Sequence, residues 1–214
     1  MSRSVTLLDY GVGNLLSVSR ALEHCGAEVT RSGDPEDVAR AERLVLPGVG
    51  AFGACVETLA SHGLIEPVKT YAASGRPLLG ICVGMQMLLD YGEEFGRHEG
   101  LGLIPGHVEA IPPTDSAGQP HKIPHIGWNG LHRPNGAESW HSPLFDAVPD
   151  GAEVYFVHSY TAVPSDPAHR LADCDYGGRT ISAAVARDAV FGCQFHPEKS
   201  GPLGLAILDR FLSF

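Results

Sequence analysis

Two short segments carry residue types able to act together on a carbonyl group. Gly80-Ile81-Cys82-Val83-Gly84 sets a thiol between two glycines, where an apolar run, Pro77–Ile81, meets a helical pattern from Gly84 to Leu89. This is the G-x-nucleophile-x-G turn with cysteine as the nucleophile. So tight a strand-to-helix turn forces unusual backbone angles, and neighbours without Cβ relieve the crowding. The first N–H groups of the following helix would favour a thiolate, and the N–H of Val83 is placed to bind an oxyanion. Alone, the motif fits a small buried cysteine in a glycine-rich turn equally well.

His196-Pro197-Glu198 alters that balance. A residue before proline is pushed into the extended region. Residues two apart in extended chain face the same side. His196 and Glu198 are therefore expected to project together, the carboxylate beside the imidazole. By itself the tripeptide reads as a polar strand end. With Cys82 it completes a nucleophile, a base and an orienter.

A third segment, Pro47-Gly48-Val49-Gly50, prolongs an apolar run at what should be the carboxyl edge of a sheet, where α/β sites form. Its backbone N–H groups could face a developing oxyanion. Gly48, Gly50 and Gly53 also match the spacing of a dinucleotide fingerprint, which wants an acidic residue about 20 positions on. No Asp or Glu lies between Glu66 and Asp90, and the match follows the third strand, not the first. The nucleotide reading is rejected. Gly11-Val12-Gly13 fails as well, since Leu16 holds the third glycine position.

The elements that must position these groups alternate. Val5–Asp9, Ala27–Thr30, Leu44–Leu46 and Pro77–Ile81 read as strands, and Asn14–Cys25, Pro35–Ala41, a stretch from about Ala54, and Glu66–Ser74 as helices. Strands alternating with helices imply βαβ units and a largely parallel sheet with right-handed crossovers. Beyond Gly92, the segments Val108–Ile111, Ile123–Trp128, Val154–Tyr160, Thr180–Val185 and Val190–Phe195 read as strands of antiparallel or mixed character, closed by a helix over Ser200–Phe214. With no linker and no repeat, the 214 residues are expected to form one α/β domain, 1–214.

Composition narrows the function classes. A formal net charge of −10 disfavours a phosphate backbone as main partner, so no nucleic acid is expected. No apolar stretch is long enough to span a bilayer, and no membrane association is expected. Met1–Ser4 opens no signal-peptide pattern. The five cysteines are odd in number, and no two stand at C-x-x-C spacing, against a disulfide framework or a cysteine-rich zinc site. His121 and His125 stand four apart, but Pro124 interrupts any helix between them. Neither a metal nor a cofactor is expected.

Taken together, the motifs resemble the class I, or triad, glutamine amidotransferases. The likeness runs over nearly the whole chain. It rests on Asp9-Tyr10-Gly11-Val12-Gly13-Asn14-Leu15, Leu46-Pro47-Gly48-Val49-Gly50-Ala51-Phe52, Gly80 to Gln86, Pro124-His125-Ile126-Gly127-Trp128-Asn129, Tyr155-Phe156-Val157-His158-Ser159-Tyr160, and Gln194 to Ser200. The resemblance implies a three-layer α/β sandwich, flavodoxin-like in plan, with a mixed, mostly parallel central sheet. It implies Cys82 as nucleophile, His196 as base and then acid, and Glu198 as orienter. Backbone N–H groups of Val49 or Gly50 and of Val83 would form the oxyanion hole. Gln86, Glu94, Ser159 and Tyr160 match positions that hold L-glutamine. Asn14, Trp128, Tyr155 and Lys199 match positions near a second subunit.

The implied activity is hydrolysis of glutamine to glutamate and ammonia through a cysteine thioester. The ammonia would pass to a (β/α)8-barrel cyclase/synthase subunit in a heterodimer of histidine biosynthesis. The products there would be imidazole glycerol phosphate and an aminoimidazole carboxamide ribonucleotide. A cytoplasmic location follows from the same likeness. A glutaminase of another pathway, a silent scaffold that only activates its partner, and a cysteine peptidase or esterase are the competing readings.

Overall fold

The computed structural model describes residues 3–214. The expectation on Met1–Ser4 thus falls partly on Met1 and Ser2, outside the described residues. Chain order opens with β1 (Ser4–Leu8), α1 (Leu15–His24), β2 (Glu28–Ser32), α2 (Pro35–Arg40), β3 (Leu44–Leu46), α3 (Phe52–Ser61), α4 (Ile65–Ala73), β4 (Leu78–Ile81) and α5 (Val83–Gln86). It continues with β5 (Tyr91–Gly92), β6 (His98–Glu99), β7 (Gly106–Ala110), β8 (His125–Gly130), β9 (Glu153–His158), β10 (Tyr160–Pro164), β11 (Arg170–Tyr176), β12 (Arg179–Arg187), β13 (Val190–Cys193) and α6 (Gly201–Phe211).

The central sheet has seven strands in the order β11-β12-β13-β4-β3-β1-β2. From β13 to β2 the pairing is parallel; β11 and β12 add an antiparallel edge. The chain moves outward from β1 to β2, then back across to β3 and β4. Right-handed crossovers then put α1 on one face and α2 with α4 on the other. α1 packs with α6, and α2 with α4, which makes three layers. β3 and β4 are buried along their whole length, as a parallel sheet covered on both faces requires.

Local chemistry explains the element ends. Asp34 accepts a hydrogen bond from Glu36 N at 2.8 Å and Pro35 occupies the first turn, so α2 starts there. The helix after Cys82 is one turn long and does not reach Leu89. The carbonyls of Met87, Leu88 and Leu89 accept instead from Leu101, Leu103 and Gly102 N–H groups at 2.8 to 3.0 Å, which leaves no helical ladder to extend. The strand expected over Val154–Tyr160 divides at Ser159. His158 still pairs with His125 on β8, whereas Tyr160 pairs with Ala110 on β7.

β4 and β13 are hydrogen-bonded neighbours, with Ile81 opposite Cys193. The residues that follow their carboxyl ends, Cys82 on one and Gln194 to His196 on the other, therefore emerge side by side. Chain segments more than 100 positions apart meet because two parallel strands stop at the same level.

Candidate active site

Cys82 stands at the turn between β4 and α5 with φ +56° and ψ −115°, a left-handed conformation unusual for a residue with a Cβ. The surroundings hold it there. A Cβ on Gly84 would run into the carbonyl of Leu46, and one on Gly48 would stand 2.6 Å from Gly84 N. The loops after β3 and β4 can cross this closely only because both positions are glycine. Val83 is the first residue of α5, so its N–H has no acceptor within the helix.

His196 ends the run after β13 in extended conformation, with φ −98° and ψ 97°. Its N–H donates to Tyr155 O at 3.0 Å, and Ser200 Oγ donates to its carbonyl at 2.7 Å. Its ring Nδ1 donates to Glu198 Oε1 at 2.9 Å, since a carboxylate can only accept. Both side chains are almost fully buried, at 5% and 1% exposure. The imidazole and the Cys82 thiol line the same cavity. Burial pulls the imidazole down, but hydrogen bonds and charge from Cys82 and Glu198 outweigh it and raise the pKa from 6.5 to about 9. An imidazolium at neutral pH is the proton donor that a leaving amine requires.

A cavity of about 330 Å³ joins these groups to the others the sequence singled out. Cys82, Val83, His196, Val49 and Gly50 line one part of it. Gln86, Glu94, Ser159 and Tyr160 line another part, together with Pro124, Val157 and His158. Glu94 does double duty: its Oε2 accepts from Phe52 N at 2.8 Å, fixing the start of α3 just past the glycine segment. Tyr10 Oη donates to Pro47 O at 2.7 Å and Cys55 Sγ to Val49 O at 3.2 Å, so two carbonyls of that segment are held from within the core. A larger cavity of about 810 Å³ opens near Pro77 and Ala189, at the amino ends of β4 and β13; no cysteine lines it.

Trp128 and Tyr155 face each other across β8 and β9, ring centroids 6.1 Å apart, and Lys199 Nζ stands 5.8 Å from the Tyr155 ring. Trp128 is 53% exposed, and Ile126 lies on the same face of β8 at 49%. Asn14 precedes α1 as its N-cap residue without a side-chain capping bond, beside exposed Leu16. Ile126 and Trp128 thus leave an exposed apolar pair on β8. Among the described residues, no group of three or more His, Cys, Asp or Glu is placed to hold a metal ion. All five cysteines are free thiols. No described helix is long and apolar enough to cross a membrane.

Sequence reasoning gave no role to Gln194, His125 or His158, though all three lie in the motif segments. His158 lines the cavity, and its Nδ1 donates to Tyr160 O at 2.8 Å. Its Nε2 must then accept, and His125 Nδ1 donates to it at 2.9 Å. Burial drives both imidazoles down, to about 4 for His125 and about 3 for His158, so both are neutral at pH 7. Gln194 is fully buried. A glutamine within the apolar run Val190–Phe195 was the signal that could have found it, since buried polar groups need partners.

A family model described as glutamine amidotransferase class-I matches residues 6–213. The chain is 53% identical over 209 residues to imidazole glycerol phosphate synthase subunit HisH 1 of Legionella pneumophila, covering 98% of each. It is 47% identical over 210 residues to subunit HisH of the same synthase from Syntrophotalea carbinolica, covering 97% of this chain and 98% of that one. Among solved structures, a glutamine amidotransferase superposes with a TM-score of 0.72 at 17% identity over 98% of this chain and 99% of that one. PurLQS from Thermotoga maritima gives 0.72 at 21% identity over 100% and 99%. These two speak for the fold.

Proposed function

The chain belongs to the class-I glutamine amidotransferases, and from that premise we propose that it is the glutaminase subunit of an imidazole glycerol phosphate synthase. The observation that carries the chemistry is the meeting of Cys82 and His196 on the wall of one cavity, with Glu198 2.9 Å from His196 Nδ1.

In this reading Cys82 Sγ attacks the side-chain amide carbon of L-glutamine. Negative charge gathers on the amide oxygen, where the N–H of Val83 and an N–H of Val49 or Gly50 receive it. His196 gives its proton to the departing nitrogen, ammonia leaves, and a thioester to Cys82 remains. Water then loses a proton to His196 as it attacks the thioester, and glutamate departs with the thiolate restored. Glu198 keeps the ring in one tautomer and offsets its positive charge. Gln86, Glu94, Ser159 and Tyr160 hold the substrate's backbone end and amide.

Ammonia released into bulk water would protonate and lose its nucleophilicity. The proposed receiver is a (β/α)8-barrel cyclase subunit seated on the rim of Trp128, Tyr155, Lys199 and Asn14. There it would enter the synthesis of imidazole glycerol phosphate and an aminoimidazole carboxamide ribonucleotide, in the cytoplasm. Residues 1–214 would act as one amidotransferase domain, without cofactor or metal. Co-expression with the candidate cyclase, followed by comparison of glutamine-dependent and ammonia-dependent product formation, tests the reading. Product from ammonia but none from glutamine, with the complex assembled, overturns it.

A further inference from the structure

We propose that Gln194 is a positioning residue for the nucleophile: its side-chain amide donates a hydrogen bond to Cys82 Sγ and holds the sulfur for attack. This rests on Cys82 being the nucleophile and adds a second partner to it besides His196.

The amide orientation follows from the backbone. The carbonyl of Tyr160 can only accept, and Gln86 Nε2 donates to it at 3.2 Å. The second hydrogen of the same Nε2 points to Gln194, 2.9 Å away, so Gln194 must turn its Oε1 there. A reversed Gln194 would set one NH₂ group against another. Gln194 Nε2 is thereby aimed at Cys82 Sγ, at 3.8 Å, within range for a sulfur acceptor. Among the described residues, Sγ is the partner recorded for that nitrogen.

Burial adds the second argument. Gln194 is 0% exposed and Gln86 3%. A glutamine sealed in the protein interior is costly unless its groups are paired. An amide pair serving packing alone would need only the Gln86 contact. Here the donor end is spent on a sulfur held at φ +56°. A neutral donor suits that place. It favours negative charge on sulfur without competing for the proton that His196 must carry.

The test compares the full chain with Gln194→Met, which keeps the volume and loses both amide ends, and Gln194→Glu, which keeps an acceptor for Gln86 but faces the sulfur with a carboxylate. Iodoacetamide labelling is followed across pH by mass spectrometry of the Cys82 peptide. Glutamate release with the cyclase partner gives kcat and KM.

The expected result for Gln194→Met is a midpoint of Cys82 labelling shifted up by about 0.5–1 pH unit, kcat reduced ~10-fold or more, and KM changed less than ~2-fold. Gln194→Glu should shift the midpoint further in the same direction. Labelling midpoints equal to wild type in folded variants overturn the proposal. Unfolding of both variants overturns it too, since that would make the amide pair a packing element alone. Absence of glutamate release by the wild-type complex would instead refute the glutaminase reading itself.

Discussion

His196 Nδ1 donates to Glu198 Oε1 at 2.9 Å, and both side chains are shut away from solvent. A charge-assisted bond in such a place fixes ring tautomer, ring direction and proton affinity together. Only one carboxylate oxygen is used: Oε2 of Glu198 is buried with no hydrogen-bond partner among the described residues. Glu198→Gln is therefore expected to keep the fold while loosening control of the imidazole. Glutaminase kcat should fall by up to ~10⁴, the loss seen when the acid of a hydrolytic triad is replaced by its amide. Steady-state kinetics with the partner present check this, and activity within twofold of wild type would rule out the orienting role.

Cys82→Ala removes the sulfur that would form the thioester. Glutamate release should vanish, whereas product formation from added ammonia should continue at the wild-type rate. Cys82 is buried on the cavity wall, and its loss leaves the exposed side chains of Trp128 and Ile126 in place, so association with the partner should be unchanged. Residual glutamine-dependent turnover would mean another group attacks the amide.

Much of this arrangement was legible in the chain because its signals are local. Leu15, Val18 and Leu22 declare one face of a helix, and Asp34-Pro35 declares a helix start. The elbow glycines and the proline of His196-Pro197-Glu198 constrain backbone angles directly. What escaped depends on partners far away in sequence. The early end of α5 is imposed by Leu101 to Leu103, and β11 is hidden by Asp173 and Asp175, residues that strands usually avoid. Asp173 is tolerated because Arg170 Nη2 lies 2.6 Å from its carboxylate. No pattern within Gln194's own neighbourhood announces that Gln86 and Cys82 will stand beside it.

The buried pair His125 and His158 predicts an acid-side loss of stability. Unfolded histidine titrates near 6.5, while these two fall to about 4 and about 3 in the fold. Between those values the unfolded chain binds more protons, so the contribution is complete above pH 6.5 and is lost as pH falls toward 4. His196 acts in the opposite sense. Its raised value gives stability that is complete below 6.5 and is lost as pH rises through about 9. Denaturant unfolding at pH 7 and pH 5 should show a loss on the order of 2–4 kcal/mol. His158→Gln should flatten that slope, and a slope equal to wild type in the variant would dismiss the assignment. Charge interaction with His121 adds to the lowering at His125, and charge interaction with His125 and His196 adds to that at His158.

Trp128 stands half exposed against Tyr155, with Lys199 over the same ring. An exposed aromatic side chain in the proposed docking rim is the kind of residue that dominates binding. Trp128→Ala should weaken partner association by ~2 kcal/mol, roughly 30-fold. The thermal midpoint of the isolated chain should move little, because half of that side chain is already in water. Calorimetric titration of the two subunits measures the first effect and a melting curve the second. A large drop in melting temperature with unchanged affinity would make Trp128 a packing residue and not an anchor.

Gly84 tests whether the crossing of two loops sets the nucleophile turn. Its Cα faces the Leu46 carbonyl so closely that a methyl group cannot be seated without parting the ends of β3 and β4. Those strands are paired up to Leu46 and Gly80, so neither end is free to yield. Parting them would also move Gly48, packed against Gly84 N, and with it the Val49–Gly50 segment. Gly84→Ala should thus cost ~2–4 kcal/mol in stability, in the range of severe overpacking, and lower glutaminase kcat by more than stability explains. The control is Gly63→Ala, at a loop position with φ +68° and open space around it. Backbone strain alone acts there, and a loss of about 1–2 kcal/mol with normal turnover is expected. Equal losses and equal turnover in the two variants would show that steric contact at the crossing is not what holds Cys82 in place.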